Sequence, residues 1–145
     1  MRSSKKKSNS RKVAERDLCR PIRRFLGGEG CSRIIRELRF FDRSIDLYGV
    51  AWGEQPKTIA VELKLRNWQK ALQQAALYQL CSDYSYVAMP KKIAHTLEHA
   101  TFSAAGIGIL AVDTEANDVQ IVLPAVLSRQ ANGRYIEPYR ELLRK

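Results

Sequence analysis

Glu62 and Lys64 stand two positions apart in the apolar run Thr58-Ile59-Ala60-Val61-Glu62-Leu63-Lys64-Leu65. The run is short and dominated by β-branched and aliphatic residues, which is the composition of a strand. Side chains alternate along a strand, so Glu62 and Lys64 project from the same face. A carboxylate and an ammonium on so apolar a strand are costly unless something uses them. Metal-assisted hydrolysis uses both: the carboxylate holds a divalent cation, and the lysine positions or activates a water beside it. Asp46, flanked by Ile45 and Leu47, repeats the pattern of an acid within an apolar strand.

Neighbouring elements must bring these groups together. Residues 12–26 carry Val13, Leu18, Ile22 and Leu26 at helical spacing, with Pro21 as a point of kinking and Gly27-Gly28 as the stop. Residues 33–41 and 44–52 read as strands joined at Asp42-Arg43, and residues 53–57 form a loop of hairpin length before the strand of residues 58–66. Asn67 caps a helix that runs to about Cys81. A strand over 84–89, a helix over 91–103, strands over 107–112 and 118–123, and a terminal helix over 136–144 complete the chain. This is an αβββαβαβ order, a mixed α/β sheet with flanking helices. Residues 12–145 read as a single domain.

The hairpin offers a geometric expectation. If Trp52 faces Thr58, paired positions sum to 110, which sets Asp46 opposite Lys64 with Glu62 as its diagonal neighbour. Diagonal partners lie ~7–8 Å apart, close enough for two carboxylates to share a cation. On the following helix, Gln74 and Tyr78 are four residues apart and stack on one face. Trp68, Ala71, Leu72, Ala75 and Ala76 form its apolar arc. Gln74 and Tyr78 sit at the edge of that arc, bordering the face of Glu62 and Lys64 without full burial.

Asp46, then Glu62-x-Lys64, then Gln74-x-x-x-Tyr78, in an αβββαβ order, resembles the PD-(D/E)XK nuclease superfamily, in its branch with a Gln-x-x-x-Tyr helix motif. The likeness covers residues 12 to about 113. It implies a restriction-endonuclease-like mixed sheet and Mg²⁺-dependent cleavage of a nucleic-acid phosphodiester, with Mn²⁺ as a substitute. By this resemblance Asp46 and Glu62 bind the metal together with the Leu63 carbonyl, and Lys64 orients or activates the water. Gln74 would order the site and Tyr78 would touch the substrate backbone. A helical acid often completes such a site, and Glu15 stands at that place. Two departures are visible. Ser44-Ile45 stands where the family name suggests a proline, and no histidine precedes residue 95.

Charge points the same way. The formal net charge is +10. Residues 1–12 hold six basic residues and no acid, while residues 13–145 carry 19 basic and 15 acidic, a net of +4. Residues 1–11 thus read as a disordered basic tail, suited to nucleic acid through electrostatics alone or to simple solubility. No apolar stretch is long enough to span a bilayer. The basic N-terminus lacks the apolar core of a secretory signal. Cys19, Cys31 and Cys81 form no paired framework, as expected of reduced thiols in a cytoplasmic protein.

Rival signals are weaker. His95-Thr96-Leu97-Glu98-His99 spells HxxEH, but a zinc peptidase needs a further ligand in the 46 residues that remain after His99. Phe40, Phe41, Tyr48 and Trp52 fall on strands and are expected in the core rather than stacked on bases. Arg36, Arg39, Lys91 and Lys92 suit either phosphate contact or ordinary surface charge, and Glu37 a solvated face. The leading expectation is a DNA nuclease, endo- or exonucleolytic, with RNA open. A homodimer would serve cleavage of both strands by one site per chain. The alternative is an inactive nucleic-acid-binding module on the same fold.

Overall fold

The computed structural model describes residues 12–129, 131 and 133–144. Its elements run α1 (Glu15–Gly28), β1 (Cys31–Phe40), β2 (Arg43–Ala51), β3 (Lys57–Leu63), α2 (Trp68–Tyr78), β4 (Tyr84–Pro90), α3 (Lys91–Ala94), α4 (His99–Ala105), β5 (Gly108–Asp113), β6 (Asp118–Leu123) and α5 (Gly133–Leu142). The expected basic tail, residues 1–11, lies outside the described residues.

Six strands form one sheet in the order β1-β2-β3-β4-β5-β6. The first three pair antiparallel, β3 to β5 pair parallel, and β6 returns antiparallel. The parallel pairs need crossovers, which α2 and then α3 with α4 supply. Alternation along β3 divides the core. Ile59, Val61 and Leu63 pack with Leu18, Ile22 and Leu26 of α1 on one face. Ala60 joins Tyr48, Tyr78 of α2 and Leu143 on the other, while Val87 and Met89 of β4 meet Ala71, Ala75 and Phe102 there. Each parallel strand is therefore buried on both sides, which explains its continuous apolar reading. The helix α1 runs unbroken through buried Pro21.

Two expectations change. The single helix over 91–103 is instead two, α3 and α4. The Thr96 hydroxyl and its N–H both donate to the Ile93 carbonyl, at 2.7 and 2.9 Å, and this local bonding competes with helix propagation. His95 and His99 therefore do not stack on one helical face, and both are exposed, so the HxxEH pattern loses its metal geometry. Phe40 and Tyr48 are in the core as expected, and Trp52 is half-buried beneath the Arg144 guanidinium. Phe41 is not in the core: it takes the left-handed turn position (φ 58°) and is 61% exposed. Among the described residues no helix is long and apolar enough to cross a membrane. The three cysteines are unpaired and buried.

Candidate active site

The candidate site forms where β2 parts from β3. Their ladder pairs Leu47 with Val61, Gly49 with Ile59 and Ala51 with Lys57, so positions sum to 108 rather than 110. Continued by one residue, this register sets Asp46 opposite Glu62, not opposite Lys64. The expected pairing is thus corrected by two residues, and the two acids come closer than the diagonal separation. The regular ladder stops at Leu47 and Val61. On the other side, β1 pairs Arg36 with Leu47 and Leu38 with Ile45, while Glu37, between them, turns to φ 55°. Asp46 is therefore unpaired in both ladders.

Its carboxylate takes over the missing hydrogen bond. The Leu63 N–H donates to Asp46 Oδ2 at 2.8 Å. Lys64 N–H donates instead to Ala88 of β4 at 3.0 Å. Backbone groups alternate sides along a strand, so the Leu63 carbonyl points with its own N–H toward the β2 side, beyond the last paired residues. Asp46, Glu62 and that carbonyl thus lie together at the end of the β2–β3 ladder.

Glu62 is only 5% exposed. The Tyr78 hydroxyl lies 2.8 Å from Glu62 Oε1 and 3.1 Å from the Ser44 carbonyl, and donates to the carboxylate as the nearer acceptor. Tyr78 itself is fully buried. This corrects the expectation of a partly exposed tyrosine touching substrate. Ala71 and Ala75 carry no bulk, so α2 seats close to the sheet and draws Tyr78 inside. The Asn67 side chain caps α2, accepting from Lys70 N–H at 3.4 Å, as the sequence indicated.

The electrostatics follow from this crowding. Burial, then repulsion from Asp46, pushes the Glu62 carboxyl up from 4.5 to about 8, against the opposing pull of the Tyr78 hydrogen bond and the Lys64 charge. Burial also raises Asp46, with the Leu63 N–H and Lys64 acting the other way. Glu15, exposed at the start of α1, raises both acids and so lies within electrostatic reach of the site. Tyr78 is held strongly protonated by burial and by the neighbouring Glu62 charge. Gln74, one turn before Tyr78, is half-buried, and its Oε1 is buried without a hydrogen-bond partner among the described residues.

Asp46, Glu62, Leu63 and Tyr78 thus form one contiguous constellation, with Lys64 and Glu15 near enough to act on it through charge. Gln74 shares the helix but touches none of these groups by a hydrogen bond. The Ser44 carbonyl and the Leu63 N–H were not foreseen, because backbone groups leave no mark in residue type. Among the described residues no group of three or more His, Cys, Asp and Glu side chains gathers as a metal cage. Two carboxyls and a carbonyl do suit a hard cation that keeps most of its water, such as Mg²⁺ or Mn²⁺, and not the four-ligand set of structural zinc.

No protein-family model matches the chain, and no curated protein matches it. Among solved structures it is similar to a protein of unknown function from Silicibacter pomeroyi, at 22% identity over 91% of this chain and 82% of that one, with a TM-score of 0.64. The likeness is one of fold: a mixed six-stranded sheet with flanking helices.

Proposed function

We propose that this chain is a metal-dependent nuclease of the restriction-endonuclease-like, PD-(D/E)XK type, acting on DNA from the cytoplasm. The observation that carries the reading is the convergence of Asp46 and Glu62 at the β2–β3 divergence, where the Asp46 charge disfavours ionisation of Glu62 while a hydrogen bond from Glu62 favours the ionised form of Asp46. Two acids forced together, one buried and one half-buried, invite a cation. Asp46, Glu62 and the Leu63 carbonyl would hold it. When bound, the cation supplies Lewis acidity toward a phosphodiester and a more acidic water. The protein's own groups do the rest. Leu63 N–H fixes Asp46, Tyr78 fixes Glu62, and Lys64 brings positive charge to the phosphate as negative charge develops on it. Gln74 would order the site from the helix that carries Tyr78, its Oε1 being buried without a hydrogen-bond partner among the described residues. Water adds to phosphorus and gives up a proton to solvent, the P–O ester bond breaks, and the leaving oxygen takes a proton from solvent.

The test is a cleavage panel of supercoiled, linear, single-stranded and branched DNA, with RNA of matched shapes, in Mg²⁺ or Mn²⁺. Wild type should cut at least one substrate, and Glu62→Gln or Lys64→Ala should cut none. An intact panel with wild type refutes nuclease activity. Binding that survives EDTA and Glu62→Ala, without any cleavage, would make the chain a nucleic-acid-binding module instead. Sedimentation with and without a duplex would determine whether two copies act together.

A further inference from the structure

The outer face of α1 carries Arg16, Arg20, Arg23 and Arg24, all exposed. They recur at intervals of four and three to four residues, so they form one stripe along the side opposite Leu18, Ile22 and Leu26. Some exposed cations elsewhere have carboxylate partners: Lys57 with Glu29, Lys91 with Asp113, Arg144 with Glu141. Arg16, Arg20 and Arg23 have no ion pair among the described residues. Arg24 reaches only the Asn117 carbonyl, at 3.4 Å. Asp17, the acid in their midst, turns back to accept from Ala14 N–H at 2.8 Å.

This arrangement works against the helix that bears it. Like charges four apart repel along a helix, and a cation at Arg16, the second residue, opposes the positive end of the helix dipole. Stability does not account for the stripe, but an external polyanion would. The direction of α1 adds the second observation. Glu15 at its start lies in electrostatic reach of Asp46 and Glu62, whereas Glu29 just past its end pairs with Lys57 at the start of β3. The stripe therefore begins beside the candidate site and leads away from it. From Arg16 to Arg24 it spans about 12 Å at ~1.5 Å per residue. That length matches roughly three to four phosphates of one duplex strand.

We infer that the Arg16–Arg20–Arg23–Arg24 stripe is a phosphate track that holds the backbone of a nucleic acid as it leaves the β2–β3 site. The occupant named here rests on the nuclease reading, but the track binds phosphate whether or not the site cuts. The test is fluorescence anisotropy of a labelled 20-mer, duplex and single-stranded, in EDTA across 50 to 200 mM salt. It compares wild type with Arg16→Gln/Arg20→Gln/Arg23→Gln and with a charge-matched control outside α1, Lys57→Gln/Arg129→Gln/Arg144→Gln, in which Lys57 begins β3 and Arg129 and Arg144 lie outside the strands. Each lost contact to duplex flattens the slope of log affinity on log salt by ~0.9. The α1 triple should therefore lose about 2.7 from the slope, so that wild-type affinity falls about 40-fold more than the variant's over that range. The control should keep the wild-type slope. Equal slopes for both triples, with all three proteins folded by circular dichroism, overturn the track and leave cleavage by wild type untouched. Conversely, absent cleavage with a flattened α1 slope removes the nuclease and keeps the track. Binding to anionic vesicles and not to DNA also overturns it.

Discussion

Replacing Glu62 by Gln in the metal-free protein should abolish a steep pH dependence of stability. Glu62 titrates near 8 in the fold, against 4.5 for an ordinary glutamate, because it is buried and faces Asp46. A carboxyl with a raised folded pKa stabilises the native state by holding its proton. That contribution is complete below 4.5 and is lost as the pH climbs through about 8. Between those limits the folded state binds up to one proton more than the unfolded state. The slope is then up to ~1.4 kcal/mol per pH unit, and the whole interval amounts to at most about 5 kcal/mol. That is a large share of the 5–15 kcal/mol typical of a domain, so the apo protein should be visibly weakened at pH 8. Gln copies the shape of the protonated acid, still accepts from Tyr78, and carries no charge to repel Asp46. Glu62→Gln should therefore match wild type near pH 4.5 and exceed it by several kcal/mol at pH 8.5. Urea midpoints in EDTA, taken every half pH unit, measure this directly. A wild-type midpoint that stays level from pH 5 to 8, or an identical decline in both proteins, refutes the account of a buried carboxyl pair.

Further outcomes follow from the same geometry. Mg²⁺ or Mn²⁺ at 100 times its dissociation constant should stabilise wild type by about 2.7 kcal/mol, a rise of very roughly 6–10 °C in melting temperature, with no rise for Asp46→Asn or Glu62→Gln. Lys64→Ala should keep the metal-dependent rise and lose cleavage, which separates ligation from chemistry. Tyr78→Phe removes the hydroxyl between Glu62 and the Ser44 carbonyl and should cost about 1–2 kcal/mol at pH 9, with weaker metal binding in calorimetry. Gln74→Leu should leave stability unchanged or improve it slightly, since the Oε1 has no partner to lose, while cleavage falls. A loss of more than 1 kcal/mol there would mean that Gln74 serves the fold rather than the site.

Much of this arrangement was legible in the chain. The aliphatic run around Glu62, the Asn67 cap and the spacing of Leu18, Ile22 and Leu26 placed β3, α2 and α1, because each signal is local in origin. Alternation also set Glu62 on the face of β3 opposite Val61 and Leu63, which needs no knowledge of any partner strand, although β3 ends at Leu63 and leaves Lys64 just beyond it. What the chain could not specify was register. A slip of two residues between β2 and β3 leaves every side chain on its own face, so the hydrophobic pattern is blind to it. Only the assembled sheet decided that Asp46 meets Glu62 instead of Lys64, and that its carboxylate replaces a lost backbone partner at Leu63. The burial of Tyr78 was likewise decided by how closely α2 seats on the sheet, and the pKa of Glu62 by what then surrounds it. Residue type and period are properties of the chain. Distance, desolvation and the fate of unpaired backbone groups belong to elements far apart in sequence, and they exist only once those elements pack.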